Sequence, residues 1–241
     1  MSADWRMRTR MLVGDSGVER LERAHVAVFG VGGVGSYAAE ALARAGVGRL
    51  TLVDFDTVGE TNLNRQLAAL NSTLGQYKAQ VMADRARDIN PQIRAEAVLR
   101  RYVPEERENF FREHYTYVVD AIDLVTCKLD LILTCRERGI PVISAMGTGN
   151  KFDVSQLRVT DLEKTRNCPL AKVMRRELRK RGLIHHQVVY SPELPAPSLQ
   201  LEAPPPGRRS VPASIPWVPG AAGLMLAGEV VRQIAEDRLV R

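Results

Sequence analysis

A glycine-rich turn follows the first predicted strand of this chain. Gly30, Gly32 and Gly35 have the spacing G-x-G-x-x-G, and Gly33 adds a fourth glycine. In such a turn the first glycine permits a sharp bend, the second lets the backbone approach a phosphate, and the third lets the following helix pack on the strand. The N–H groups at the start of that helix favour negative charge. The turn therefore predicts a phosphate site, which NAD, FAD, S-adenosylmethionine or ATP would fit equally well.

Acidic and basic residues further along the chain indicate the phosphate chemistry. Asp54 ends the second predicted strand, where an acid normally binds ribose hydroxyls. Arg65 and Lys78 follow at distances from which they can reach β- and γ-phosphates, and Asp123 comes just after the fourth predicted strand. Two cations on phosphates and an acid for Mg²⁺ are the components of phosphoryl or nucleotidyl transfer, which a hydride-transfer enzyme does not need. Each residue alone also fits a structural interpretation, as a solvated cation or, for Asp123, as a helix cap.

The order of these motifs resembles a known superfamily. GxGGxG, DFDTV, N-x-x-RQ, a lysine and DAID follow one another as in the adenylating domain of the ubiquitin-activating superfamily, which includes the ThiF, MoeB and HesA proteins. In the second half, the segments 162–182, 188–195 and 212–234 resemble the tRNA threonylcarbamoyladenosine dehydratases, and the likeness extends over nearly the whole chain.

The resemblance implies a nucleotide site. ATP would lie on the glycine turn with Asp54 on the ribose, Arg65 and Lys78 on the phosphates, and Asp123 on Mg²⁺. The other residues that the resemblance carries into the site are Gly30, Gly32, Gly33, Gly35, Asp56, Asn62 and Gln66. Arg8 matches an N-terminal arginine that the superfamily commonly supplies from the partner subunit, so the resemblance also implies a homodimer.

The implied reaction is the ATP-dependent adenylation of the threonyl carboxylate on the modified adenosine of a tRNA. The neighbouring carbamoyl group would then displace AMP and close a ring, with net loss of water. Because the attacking group is tethered, ring closure gains a large effective concentration and requires no catalytic cysteine.

Alternating predicted strands and helices indicate the fold class. An α/β fold is expected, a Rossmann-like doubly wound and mostly parallel sheet with an antiparallel C-terminal extension, a basic crossover helix and a proline-rich loop. We predict an N-terminal arm or helix at 1–24, a nucleotide-binding region at 25–150 and an extension of the same domain at 151–241. The predicted strands are 26–29, 50–53, 94–99, 117–120, 141–145, 154–160 and 188–191, and the predicted helices are 34–45, 63–69, 78–89, 105–112, 126–138, 171–181 and 221–234.

Composition bounds the class of protein and its partners. The chain has 241 residues, an apolar fraction of 45% and a net charge of +6, which fits a globular protein with an anionic partner such as nucleic acid. Basic residues concentrate between 164 and 181, and Arg208 and Arg209 follow in the proline-rich segment, so a tRNA partner is expected. No apolar run is long enough to span a membrane, so a cytoplasmic location is expected.

The cysteines leave one question open. The three cysteines include no C-x-x-C pair, so neither a disulfide framework nor a four-cysteine zinc site is predicted. Cys127 and Cys135 fall on one helix face and are predicted to be core residues. Cys168 lies near the crossover segment in which ubiquitin-activating enzymes can form a thioester, and it stands where the dehydratases more often have aspartate. A structural role is the alternative, and the sequence does not decide whether a sulfur-relay or cysteine-desulfurase partner is used.

Three other functions are compatible with parts of the sequence. The first is adenylation of the C-terminus of a ubiquitin-like sulfur-carrier protein, which the missing C-x-x-C pairs disfavour. The second is a silent nucleotide-binding module, which the presence of Arg65, Lys78 and Asp123 disfavours. A redox enzyme of the Rossmann type fits the cations least.

Overall fold

In a computed structural model of the chain, residues 4–201, 203–204 and 211–237 are described. Within these residues, seven strands form one sheet in the order β3-β2-β1-β4-β5-β7-β6. The strands are β1 (His25–Phe29), β2 (Arg49–Val53), β3 (Arg94–Val98), β4 (Tyr117–Asp120), β5 (Val142–Ala145), β6 (Arg158–Asp161) and β7 (Gln187–Tyr190). All neighbouring strands pair in parallel except β6, which pairs antiparallel with β7. The predicted doubly wound sheet with an antiparallel extension is confirmed.

Helices cover both faces of this sheet. The helices are α1 (Met7–Arg23), α2 (Gly35–Ala45), α3 (Lys78–Ile89), α4 (Val125–Glu137), α5 (Pro169–Lys180) and α6 (Trp217–Ala235). Successive strand residues point to opposite faces, so Val26 and Val28 pack with α1, α2, α3 and α6, whereas Ala27 and Phe29 pack on the face of α4. Residues of α5 extend the core on that second face. The described helices include none that is both long and apolar enough to cross a membrane.

Three predicted elements differ in the structure. The predicted strand at 154–160 begins only at Arg158, because the carboxylate of Asp153 accepts the N–H of Ser155 at 2.9 Å and starts a 3-10 turn, Val154–Gln156. The predicted helix at 105–112 is a 3-10 helix, Pro104–Phe110, and its aromatic end packs against Phe29 on the sheet. The predicted helix at 63–69 is replaced by a 3-10 turn, Glu60–Asn62, and irregular turns.

The proline-rich segment leaves the body of the protein through a clamp made by Asn150. The Asn150 carbonyl accepts the N–H of Ala196 at 2.8 Å, and its side-chain oxygen accepts the N–H of Ala213 at 2.7 Å. The Asn150 N–H donates to the carbonyl of Ala213 at 2.8 Å. A single residue, Asn150, therefore holds the two ends of the proline-rich segment together. Arg208 and Arg209, which the sequence marks as RNA contacts, lie outside the described residues.

Candidate nucleotide-binding site

The glycine turn is built by close backbone contacts that side chains would prevent. Gly30 has φ +85°, and a Cβ placed there would lie 2.8 Å from the carbonyl oxygen of Ala121. A Cβ on Gly35 would lie 1.8 Å from the Gly30 carbonyl oxygen. Both glycines are therefore required for the turn to sit between β1 and the loop after β4. Because α2 begins at Gly35, its first N–H groups lie at this turn.

Asp54 is tied to the glycine turn through backbone hydrogen bonds. One carboxylate oxygen accepts the Val31 N–H at 2.6 Å, and the other accepts the Asp56 N–H at 2.9 Å. Burial raises the pKa of Asp54, while these two N–H groups and the nearby Lys78 ammonium act in the opposite direction. Each carboxylate oxygen retains capacity for a further hydrogen bond. The predicted ribose-binding acid therefore stands beside the predicted phosphate turn.

Lys78 reaches the same place from the start of α3. A bridge between Thr57 and Tyr77 brings the start of α3 back to the end of β2, and the Lys78 N–H donates to the Asp56 carbonyl at 3.0 Å. The Lys78 side chain is buried, and its Nζ lies 3.2 Å from Oδ2 of the half-exposed Asp56. A buried ammonium facing one exposed carboxylate can exchange that partner for a phosphate oxygen.

In the glycine turn, Arg65 lies against Gly33 and Gln66 lies against Gly32. A Cβ on Gly33 would be 3.6 Å from Cγ of Arg65, and a Cβ on Gly32 would be 3.8 Å from Nε2 of Gln66. Gln66 is buried, yet its Oε1 has no hydrogen-bond partner among the described residues. A buried acceptor without a partner costs about 1–3 kcal/mol, so this orphaned oxygen beside the glycine turn fits a site that a ligand completes.

The segment before α3 is shaped by its polar side chains. Oδ1 of Asn62 accepts the Gly59 N–H at 3.1 Å, and the Asn62 carbonyl accepts the N–H groups of Arg65 and Gln66. The Arg65 guanidinium donates to the Thr61 carbonyl at 2.7 Å and to Oδ1 of Asn64 at 2.8 Å. Asn62 therefore forms the turn that presents Arg65 and Gln66 to the glycines.

Asp123 lies in the loop that follows β4, the neighbour of β1 in the sheet. Its side chain is exposed, and the loop is anchored by the fully buried Asp120, whose carboxylate accepts the Ile122 N–H at 3.1 Å. Among the described residues, no group of three or more His, Cys, Asp or Glu side chains could hold a metal ion.

Arg8 is not brought to this site within the chain. It lies on α1, its side chain is exposed, and it makes no hydrogen bond or ion pair with any described residue. A Cβ on Gly46 would lie 2.9 Å from Cδ of Arg6, so the start of α1 lies at the end of α2 opposite to the glycine turn.

Sequence reasoning missed two contributors to the rim of the site. The start of α6 lies over the glycine turn, and a Cβ on Gly33 would be 3.4 Å from Cβ of Pro219. Nδ2 of Asn64 donates to the Ser214 carbonyl at 3.0 Å, which ties the Arg65 segment to the end of the proline-rich segment. Asn64 stands inside the NLNRQ motif and could have been singled out. Pro219 is distant in sequence and carries no local signal.

Cys168 has a structural place at the start of α5. It is buried, and its Sγ accepts the Ala171 N–H at 3.5 Å, the position of a helix cap. Cys127 and Cys135 are buried in the core beneath α4, as predicted, and burial raises the pKa of both thiols. The geometry therefore favours the structural interpretation of Cys168.

A separate cavity of about 380 Å³ lies at the opposite edge of the sheet. Its lining includes Tyr117 and Val142, at the amino-terminal ends of β4 and β5, and Arg136 and His185. It shares no residue with the glycine turn or its cations, so it is not the nucleotide site.

Comparisons with known proteins agree with this geometry. A tRNA threonylcarbamoyladenosine dehydratase from Bacillus subtilis (strain 168) is 44% identical over 239 residues, covering 95% of this chain and 94% of that protein. The crystal structure of the E. coli tRNA N6-threonylcarbamoyladenosine dehydratase in complex with ATP superposes with a TM-score of 0.86 at 36% identity, covering 98% of each chain. A molybdopterin-synthase adenylyltransferase from Salmonella typhimurium (strain LT2) is 35% identical over 152 residues, 63% of this chain and 61% of that protein. The ThiF family pattern matches residues 6–240. The resemblance inferred from the motifs is thereby confirmed, and the chain belongs to the ThiF family.

Proposed function

We propose that this chain uses ATP to adenylate the threonyl carboxylate of threonylcarbamoyladenosine in tRNA and then lets the ring close. The observation that carries the proposal is the gathering of Arg65, Gln66, Lys78 and Asp54 around one glycine turn, in a chain 44% identical to a protein of that name along nearly its whole length. Two cations at a phosphate turn suit an anion whose α–β phosphate bond is to be broken.

The reaction proceeds in two balanced steps. A threonyl carboxylate oxygen attacks the α-phosphorus of ATP, the bond to the β-phosphate oxygen breaks, and pyrophosphate leaves. The carbamoyl group then attacks the carbonyl carbon of the acyl adenylate, AMP leaves with the former carboxylate oxygen, and the carbamoyl group gives up one proton. Oxide is a poor leaving group and AMP is a good one, so the first step makes the second feasible. The chain's part is to position the groups and stabilise charge.

Each site residue has a proposed role that follows from its charge or its hydrogen-bonding groups. Gly30, Gly32, Gly33 and Gly35 form the turn on which the phosphates rest, and the helix start of α2 faces them. Lys78 and Arg65 neutralise the charge that builds up on the departing pyrophosphate. Asp54 takes the ribose hydroxyls, and Asp56 holds Lys78 until the nucleotide arrives. The Gln66 side chain finds its missing partner in the bound nucleotide, and Asn62 maintains the turn.

Mg²⁺ and a second copy of the chain complete the proposed enzyme. Asp123 would hold Mg²⁺ together with phosphate oxygens, and the ion would neutralise phosphate charge when bound. Two chains would form a homodimer in which Arg8 of each chain enters the other's site. In support, Arg8 is exposed, and Arg6, two residues before it, lies against Gly46, at the end of α2 opposite to the glycine turn. A tRNA substrate would place the enzyme in the cytoplasm.

A sulfur-carrier activity is the alternative. The 35% identity to a molybdopterin-synthase adenylyltransferase covers 63% of the chain, against 95% for the dehydratase relative, and C-x-x-C pairs are absent from the sequence. All three cysteines are buried, so none offers an accessible thiol for a sulfur relay through this chain. These facts favour the tRNA substrate.

Pyrophosphate release tests the proposal. The wild-type chain should release pyrophosphate from ATP with threonylcarbamoyl-modified tRNA, and not with unmodified tRNA or a sulfur-carrier protein. Arg65→Ala should slow this release by about 10²-fold or more. The matched control is Arg112→Ala, which removes an exposed arginine whose one hydrogen bond within the described part of the chain goes to Asn109, and it should leave the rate unchanged. Equal rates with modified and unmodified tRNA would refute the assignment of the substrate, and full activity of Arg65→Ala would refute the assignment of the nucleotide site.

A further inference from the structure

Helix α5 looks uniformly basic in the sequence, but the structure divides its cations into two sets. Towards its end, Arg176, Lys180 and Arg181 all bind the carboxylate of Glu177, at 2.9, 3.3 and 3.0 Å. These side-chain hydrogen bonds, Arg181 first, lower the pKa of Glu177 to about 2. Arg179 pairs in the same region with Glu163. These four cations share two carboxylates, so this end of the helix keeps a net positive charge, but each cation on it already has a carboxylate partner.

Arg175 is also occupied. Its guanidinium donates to the Thr165 carbonyl at 2.9 Å and to the Thr165 hydroxyl at 2.6 Å. It holds the segment before the helix against the helix, which is a structural task.

Arg166 and Lys172 are different. Both side chains are exposed, and neither makes a hydrogen bond or ion pair with any residue that the structure describes. They flank the start of α5 at Pro169, Arg166 in the segment before it and Lys172 in the first turn. These two positive charges are therefore available to an anionic partner without breaking an existing pair.

The two sets also differ in their distance from the nucleotide site. The start of α5 lies beside the loop after β5, since a Cβ on Gly147 would be 3.5 Å from Sγ of Cys168, and Nδ2 of Asn167 donates to the Pro192 carbonyl after β7. This is the carboxyl-terminal edge of the parallel sheet, where the glycine turn and Asp123 also lie. The helix then runs about 18 Å to the opposite edge, where Leu183 and Gln187 lead into β7.

From this division we infer that the tRNA backbone next to the modified nucleoside crosses Arg166 and Lys172, and does not follow the more basic end of α5. This inference rests on the proposed function. A phosphate gains most from a cation that has no competing carboxylate, because an ion pair must otherwise be broken first, and each phosphate neutralised releases counterions. Of these two sets, the unpaired one lies at the edge of the sheet that holds the glycine turn, where the reacting nucleoside has to enter.

Two double variants of equal charge change test the inference. Arg166→Gln with Lys172→Gln should weaken binding of modified tRNA roughly tenfold at low salt and reduce the slope of log K against log salt by about 1.5. Arg176→Gln with Lys180→Gln should change the affinity by less than about twofold, since it removes cations already paired with Glu177. ATP binding without tRNA should be the same in both variants and the wild type, which shows that both fold.

The outcomes separate this inference from the proposed function. If the wild type binds and turns over modified tRNA while both double variants weaken binding equally, or only the Arg176 and Lys180 pair does, the surface assignment is wrong and the function stands. If the wild type neither binds modified tRNA nor releases pyrophosphate with it, both are wrong.

Discussion

Asp120 is a fully buried carboxylate at the end of β4, and its hydrogen bonds link the Asp123 loop to the interior. It accepts from Nζ of Lys128 at 2.7 Å and from the Ser144 hydroxyl at 2.6 Å, in addition to the Ile122 N–H. Ser144 in turn lies 2.8 Å from Nε2 of His186. Because the Ser144 proton points to Asp120, the imidazole donates from Nε2, and burial disfavours the charged form of the ring. One acid thus fixes the loop, two strands and a buried histidine.

His186, the last residue in this series of hydrogen bonds, is expected to make the stability of the protein sensitive to acid. Burial, with Lys128 as a smaller cause, lowers the pKa of His186 from 6.5 to about 3. Between these values the unfolded chain binds a proton that the folded chain does not, so the free energy of unfolding falls as pH falls from about 6.5 to about 3, by up to about 1.4 kcal/mol per pH unit. In denaturant titrations across this pH range, the free energy of unfolding of the His186→Gln variant should fall less steeply with falling pH than that of the wild type. Parallel curves would show that His186 is not held neutral.

At the scale of elements, the crossing of α6 over α2 positions the start of α6, which covers Gly33 at the candidate site. A Cβ on Gly223 would lie 2.2 Å from the Val34 carbonyl oxygen and 2.9 Å from Cβ of Tyr37. The helices approach each other at this glycine, directly after the segment of α6 that covers Gly33. Gly228, five residues later on the same helix, faces open space.

These two glycines give a matched pair of variants. Gly223→Ala should lower the free energy of unfolding by about 1–3 kcal/mol, because backbone must move to admit the methyl group. Gly228→Ala should raise it by about 0.5–1 kcal/mol through helix propensity alone. Denaturant or thermal unfolding of both measures the difference. If both variants changed the free energy of unfolding in the same direction, the close approach of α6 and α2 at Gly223 would be contradicted.

What the sequence could predict at this scale follows from how local each signal is. The strands of the parallel sheet and the glycine turn were predictable because buried β-branched runs and glycine spacing are written in consecutive residues. The structure brings Arg65 and Lys78, which the sequence motifs singled out, close to the glycine turn and Asp54, and their role with a nucleotide stays a prediction. The strand at 158–161 was misjudged because one Asp153 side chain competes for the backbone. The Pro219 contact and the ion pairing of α5 depend on tertiary contacts, which no local pattern reports.

At the scale of the whole molecule, one sheet runs through both predicted parts of the chain. β6 and β7, from the predicted extension 151–241, continue the sheet formed by the strands of 25–150. The N-terminal helix α1 packs on α6, near the C-terminal end of the described chain, where Arg20 donates to the Ala235 carbonyl at 3.0 Å.

The proposed homodimer makes a quantitative prediction at this scale. Arg8→Ala and Arg65→Ala should each be inactive alone. Mixed in equal amounts and allowed to exchange subunits, they should recover about one quarter of wild-type pyrophosphate release, because half of the dimers are mixed and each mixed dimer has one intact site of two. Recovery of no activity in dimers shown to have exchanged would mean that Arg8 serves its own chain's site, and full activity of Arg8→Ala alone would mean that Arg8 serves no site.

The most direct measurement of the central claim follows the oxygen that leaves. Modified tRNA whose threonyl carboxylate carries oxygen-18 is incubated with the enzyme and unlabelled ATP, and the products are examined by mass spectrometry. If the carboxylate attacks the α-phosphorus, one labelled oxygen should appear in AMP for every ring that closes, with pyrophosphate unlabelled. Label in inorganic phosphate or in water, or ring closure without AMP, would contradict adenylation at the glycine turn.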